Sequence, residues 1–204
     1  MPAREKAPRA WQRMLSGRRL DLLDPSPLDV EISDIAQGLA RVARWNGQTR
    51  GDHAFSVAQH SLMVEAIVGR ISSASPQTLL LALLHDAPEY VIGDMISPFK
   101  AVVGGGYKTV EAKLEAAIHL RFGLPPAAPK AIKALIKRAD RIAAYFEATE
   151  LAGFQPSEAR AFFGPPRDIS RDMVDVSPRS AAEVEKMFLA RFETIEALRR
   201  AGKG

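Results

Sequence analysis

The chain has 204 residues, 47% of them hydrophobic and 25% charged, with a net charge of +4 and no cysteine. These values fit an ordinary globular protein long enough to bury a sizeable core, and they exclude disordered and fibrous classes, disulfides and thiolate metal sites. The basic balance favours anionic partners only in a general way, and with no basic-aromatic recognition module in view it is read as a solubility feature rather than nucleic-acid binding.

Residues 1–30 read as a basic, polar N-terminal arm without the apolar stretch of a secretory signal. A short helix is expected around Trp11 to Leu15, ended by Gly17 and followed by the turn-rich "DPSPLD". From residue 31 to 204 a single helical domain is expected. Ile32 to Val42 is helical, with Ile32, Ile35, Ala36, Leu39 and Val42 on one face. "RWNGQTRGDH" is a loop. Ser56 and Gln59 have the spacing of a capping box, opening a helix whose buried stripe is Val57, Met63, Val64, Ile67 and Val68.

After "SSASPQ" a strongly apolar helix is expected from Leu79 to about Val91, bent or ended by Pro88. Its longest apolar run, Leu79 to Leu84, falls far short of the roughly 20 residues a membrane span needs. A cytoplasmic protein is the expectation. "GDMISPFK" and the glycines at 104–106 read as connectors, and Lys100 and Lys108 as solvated. Lys108 to Phe122 is amphipathic, with His119 a half-exposed partner of Glu115. Ala131 to Leu151 forms a long helix closed by Gly153. Residues 155–178 are irregular or carry a short helix. Ser180 and Glu183 open the last helix, with Val184, Met187, Phe188 and Ile195 inward. The fold class is all-α, with roughly six or more helices.

Ionisable residues stand at the wrong places in this pattern. "LALLHDAPEY" puts His85, Asp86 and Glu89 directly behind a run of leucines; on a continuous helix all three share one face. His60 lies on or beside the buried stripe of its helix. Asp140 sits next to Ile136 and Ala144, whereas Lys133, Lys137, Arg138 and Arg141 take the outer face. A buried charge must neutralise, pair or coordinate. An internal salt bridge from Asp140 to an arginine such as Arg44 is the plain account. The alternative is that three helices deliver His60, His85 with Asp86, and Asp140 to one divalent ion. Two imidazoles and two carboxylates suit Mn, Fe, Co, Ni or Zn and leave positions open for water and substrate, which makes hydrolysis the natural chemistry.

His, His-Asp and Asp in this order on successive helices resemble the HD-domain superfamily of metal-dependent phosphohydrolases. "RW" at 44–45, "SVAQHS" at 56–61, "LLHDAPEYVIGDMISPFK" at 83–100 and "KRADRIAAY" at 137–145 are similar to the YfbR-type bacterial 5'-deoxynucleotidases, over roughly residues 35–150. The resemblance implies a metal held by His60, His85, Asp86 and Asp140, with Glu89 and Asp94 as catalytic and water-orienting carboxylates. It also implies that Arg44 binds phosphate and Trp45 packs on the sugar or base, and that the protein forms a homodimer. Asn46 stands where that family usually has proline, and neither the arm before residue 30 nor the segment after Gly153 carries a matching motif.

The function expected is therefore metal-dependent hydrolysis of a small phosphorylated substrate, a (deoxy)nucleoside 5'-monophosphate first. The rivals are an HD-type phosphodiesterase, a hydrolase of polyphosphorylated nucleotides, and a non-catalytic nucleotide-binding regulatory module. Tyr90 stands where a guanosine-tetraphosphate hydrolase would need an acid, and the complete set of ionisable residues argues against a decayed module.

Overall fold

The structure is a computed structural model that describes residues 9–95 and 106–202. The connector at 96–105, with the Lys100 and glycine-rich readings, lies outside the described residues apart from Gly106. Helices dominate: α1 (Ile32–Leu39), α2 (Val57–Ile71), α3 (Pro76–Leu83), α4 (Glu89–Ile92), α5 (Gly106–Arg121), α6 (Lys130–Glu150), α7 (Pro156–Phe163) and α8 (Ala181–Ala201). The fold is all-α, as its periodicity indicates. Among the described residues no helix is long and apolar enough to cross a membrane.

Helix α2 runs through the centre and packs against α3, α6 and α8, while α8 also covers α1 and α3. The core they share includes Ile35, Leu39, Phe55, Val64, Ile67, Leu80, Leu83 and Phe188. Val184 and Ile195 face inward on α8 as expected, but Met187 is exposed and borders a groove against Met173. Ser56 caps α2 by accepting from the Gln59 amide at 3.3 Å. The Gln59 side chain does not reach back to close the box: it donates to the Ser177 carbonyl at 2.8 Å and holds the 177–179 segment against α2.

Three further expectations are corrected. The segment from Trp11 to Leu15 is not helical. Trp11–Arg13 and Arg19–Asp21 form a two-stranded antiparallel hairpin, β1 and β2, around Gly17 at φ +88°. Leu20 anchors this hairpin in the core, and Trp11 is surrounded by the guanidinium groups of Arg9, Arg13 and Arg19 at 4.5–5.8 Å. The three guanidinium groups stack on the indole as cation–π partners. Second, the helix expected from Leu79 to Val91 breaks before Pro88: α3 ends at Leu83, residues 84–88 turn, and Pro88 precedes α4. The His85 ring nitrogen Nδ1 donates to the Ala82 carbonyl at 2.8 Å, giving the backbone a partner other than the next helical turn. Third, His119 is buried, with Nδ1 donating to the Pro125 carbonyl at 3.0 Å.

Gly38 sets the approach of α1 to α4. A Cβ there would stand 2.8 Å from both the Cβ and the carbonyl oxygen of Tyr90, so any larger residue would push the two helices apart.

Candidate metal centre

His60, on α2, is completely buried and faces α6, where Asp140 and Glu147 lie seven positions apart, two turns along one helical face. Its two nitrogens face different groups. Nδ1 lies 2.5 Å from Oε1 of Glu147, so it carries the proton and donates. Nε2 faces Asp86 Oδ2 at 3.5 Å and Asp140 Oδ1 at 3.4 Å, distances at the far limit of a hydrogen bond. His85 repeats the arrangement. Its Nδ1 is satisfied by the Ala82 carbonyl and its Nε2 lies 3.2 Å from Asp86 Oδ2.

Both Nε2 atoms are buried without a hydrogen-bond partner. A buried polar nitrogen left unpaired is costly. A hydrogen bond that fixes the opposite nitrogen as donor is the pattern by which a histidine offers its lone pair to a metal. One ligand atom each from His60, His85 and Asp86 lies within 4.8 Å of the others, and Asp140 adjoins them through His60. Two nitrogens and two carboxylates converging from α2, the turn after α3, and α6 fit a divalent cation of the borderline class.

The electrostatics agree with a cation site. Burial pushes the Asp86 and Asp140 carboxyls up, but the histidines beside them outweigh it and hold both below the usual carboxylate range. Burial and Arg44 lower the His60 imidazolium, yet Glu147 and Asp140 outweigh them and raise it to about 10. Lys137 donates to Asp140 Oδ2 at 2.8 Å from an exposed position. The salt bridge considered for Asp140 is therefore made by Lys137, while Arg44 goes elsewhere.

Arg44 follows α1 through a loop whose base is closed by backbone bonds from Arg44 to Phe55 and from Val57 to Val42. Its guanidinium reaches Asp94 through Nη1 at 3.0 Å and Glu147 through Nε and Nη2, both at 3.2 Å. The neighbouring Trp45 donates its indole N–H to Glu147 at 2.8 Å and packs edge-on against Phe154 and Phe163. Trp45 and Asn46 both have left-handed backbones, at φ +57° and +51°. Proline is locked near −65° and cannot take the second position, whereas asparagine tolerates it. The departure at Asn46 is thus the residue this turn requires.

The candidate site residues read from the sequence lie around this centre, but not in one cluster. His60, His85, Asp86 and Asp140 converge; Arg44, Trp45 and Asp94 form a second group. Glu89 opens α4, buried, with its amide on the Asp86 carbonyl at 3.0 Å. His53 is exposed. Glu147 is the residue that sequence reading missed, and it joins the two groups. Burial pushes its carboxyl up, but Arg44 and then His60 bring it down to about 2, so it is a carboxylate with no exposed surface. Its signal was present in "AAYFEATE", an acid within an apolar run seven residues after Asp140.

A family model described as 5'-deoxynucleotidase YfbR-like matches residues 34–190. This chain belongs to that family. The match runs well past Gly153, so the segment that carries α7 and the first half of α8 belongs to the family unit. An uncharacterised protein of Rhodobacter capsulatus is 54% identical over 188 residues, covering 92% of this chain and 96% of its own. The uncharacterised protein YfdR of Escherichia coli is 31% identical over 173 residues, covering 84% and 88%. YfbR-like proteins are metal-dependent HD-domain hydrolases, and the donor set built by α2, the His85–Asp86 turn and α6 is of the kind such an activity requires.

Proposed function

We propose that this protein is a metal-dependent phosphomonoesterase that hydrolyses (deoxy)nucleoside 5'-monophosphates. The observation that carries the reading is the pair of buried, unpartnered Nε2 atoms of His60 and His85 beside Asp86 and Asp140, tied through Glu147 to the Arg44–Trp45 pair. His60, His85, Asp86 and Asp140 hold one divalent ion of the Mn, Fe, Co, Ni or Zn class. When bound, such an ion supplies Lewis-acid polarisation of a phosphoryl oxygen and a water of lowered pKa.

The chain's own groups do the rest. An arginine has five N–H donors, and the contacts to Asp94 and Glu147 use three of them. The remaining two are available to phosphate oxygens, held in place before substrate arrives. Trp45 offers its ring to the sugar or base, with Phe154 and Phe163 fixing its plane. Glu89 or Asp94 orients the attacking water and takes its proton. The water oxygen forms the new bond to phosphorus, the bond to the 5' oxygen breaks, and the nucleoside leaves protonated.

The test is phosphate release from a panel of ribo- and deoxynucleoside monophosphates by metal-stripped protein reloaded with Mn, Co, Ni, Zn or Mg. Asp86→Ala and Asp140→Ala should lose both metal and turnover, whereas Glu89→Ala should keep the metal and lose rate. Silence on every monophosphate with metal bound, or full activity without metal, overturns the proposal.

A further inference from the structure

A cleft of about 410 Å³ lies on the side of α6 away from α2, between that helix and the loop at 164–168. Its rim carries Lys137, Arg138, Arg141 and Arg167, with Ile142 and Phe163 among the apolar residues, and no carboxylate lines it. Two carboxylates touch these cations from outside the cleft, Asp168 on Arg138 and Asp140 on Lys137. Four cations against two acids leave a surplus of two positive charges. Among the described residues no carboxylate pairs with Arg141 or Arg167.

A solvated basic face would account for side chains projecting freely, but two of the three arginines are held. Arg138 is gripped by Asp168 at 2.5 Å, and Arg141 donates Nε to the Phe163 carbonyl at 3.1 Å. Gly164, at φ +81°, follows that carbonyl, and a Cβ there would meet Arg141 Nη2 at 3.5 Å. The loop thus takes one N–H of Arg141 and leaves the rest of the fork open. Held guanidinium groups with free donors suit phosphate oxygens, which they bind in bidentate fashion.

Two of its lining residues also touch residues of the candidate site. Lys137 is shared between the cleft and Asp140, and Phe163 between the cleft and Trp45, where the rings meet at 5.9 Å. We propose that this cleft is an anion subsite that takes a phosphate group other than the one hydrolysed, either a second phosphate on the substrate or a separate phosphate anion. The choice of phosphate as ligand rests on the phosphohydrolase reading; the charge and shape of the cleft do not.

Inorganic tripolyphosphate is titrated calorimetrically into metal-stripped wild type, Arg167→Gln and Arg141→Gln/Arg167→Gln, with circular dichroism checking the fold. Wild type should bind in a salt-dependent manner, and the double variant should bind at least about tenfold more weakly. Arg167→Gln, a change on an exposed loop, should lie between them. Equal affinity in all three overturns the proposal. In the reloaded enzyme, thymidine 3',5'-bisphosphate should show a lower KM than thymidine 5'-monophosphate in wild type only, if the second phosphate is on the substrate. If the anion is separate, added sulfate, an oxyanion of the same shape that does not strip the metal, should change monophosphate turnover in wild type and not in the double variant. Arginine-dependent binding with no turnover of any monophosphate would keep the cleft and sink the reaction, whereas turnover with arginine-independent binding would do the reverse.

Discussion

Glu147 uses its two oxygens for different partners: Oε1 accepts from the His60 Nδ1–H, and Oε2 accepts from Arg44 and Trp45. A glutamine has only one carbonyl oxygen, so in Glu147→Gln an amide N–H must face either the imidazole donor or the arginine and indole donors. Outer-shell partners of metal-binding histidines are worth about 10–100-fold in affinity. Glu147→Gln should therefore weaken metal binding by about that factor, measured by chelator competition, and raise the KM for nucleotide as Arg44 loosens. Glu147→Ala leaves Arg44 and His60 unbalanced in the interior and should cost about 3–5 kcal/mol. His60 adds a second expectation. With its pKa raised to about 10, it is protonated in metal-stripped protein at neutral pH, and the proton at Nε2 is the metal's competitor. Metal uptake at pH 7 should release close to one proton, read as a dependence of calorimetric heat on the ionisation enthalpy of the buffer. The same shift makes this proton stabilising below the unfolded value near 6.5, a contribution lost as pH rises through 10. Proton-independent metal binding would contradict this account of the site.

Among the elements, α1 and α4 meet at the closest helix contact for which a glycine is needed. Alanine would favour α1 by about 1 kcal/mol in helix propensity, whereas overpacking against backbone costs about 1–3 kcal/mol. The clash is with Tyr90 backbone and Cβ, which cannot swing aside, so the penalty wins. Gly38→Ala should lower stability in a denaturant titration and, because α4 begins with Glu89, lower turnover more than metal affinity. Most elements of this kind were legible in the sequence: the α2 cap, the α6 stripe with Asp140 intruding, and the α8 start all follow from spacing alone. The break after Leu83 was not, because apolar periodicity continues through His85 and Asp86 while the helix is stopped by a side-chain bond to the Ala82 carbonyl. Nor was the hairpin, since strands of three residues are too short for alternation to declare itself. Of the candidate centre, the four converging residues could be read because each interrupts an apolar face. Glu147 interrupts one equally well, but its partner Arg44 lies 103 positions earlier, and no local pattern joins them.

For the whole molecule, the proposed metal ligands come from α2, the turn before α4, and α6, so an ion there would fasten three separate pieces of the core. Free metal at 100 times its dissociation constant stabilises a fold by about 2.7 kcal/mol. In a chain of this size each kcal/mol moves Tm by about 2–4 °C. Stripping metal should lower Tm by roughly 5–10 °C, and Asp140→Ala should abolish the difference between stripped and loaded protein. The placement of α8 has another consequence. It covers α1, α2 and α3, with Arg41 and Glu185 bonded across 144 positions and Arg191 gripping the buried Glu65 across 126. Helical proteins usually fold fast because their contacts are local. Here the middle of the chain must be ordered before its last long helix can dock, and until then the sites for Val184, Phe188 and Ile195 stand open. The protein is helical in content but long-range in its closure, so its refolding should be slow for its class and prone to association between chains caught before α8 is in place.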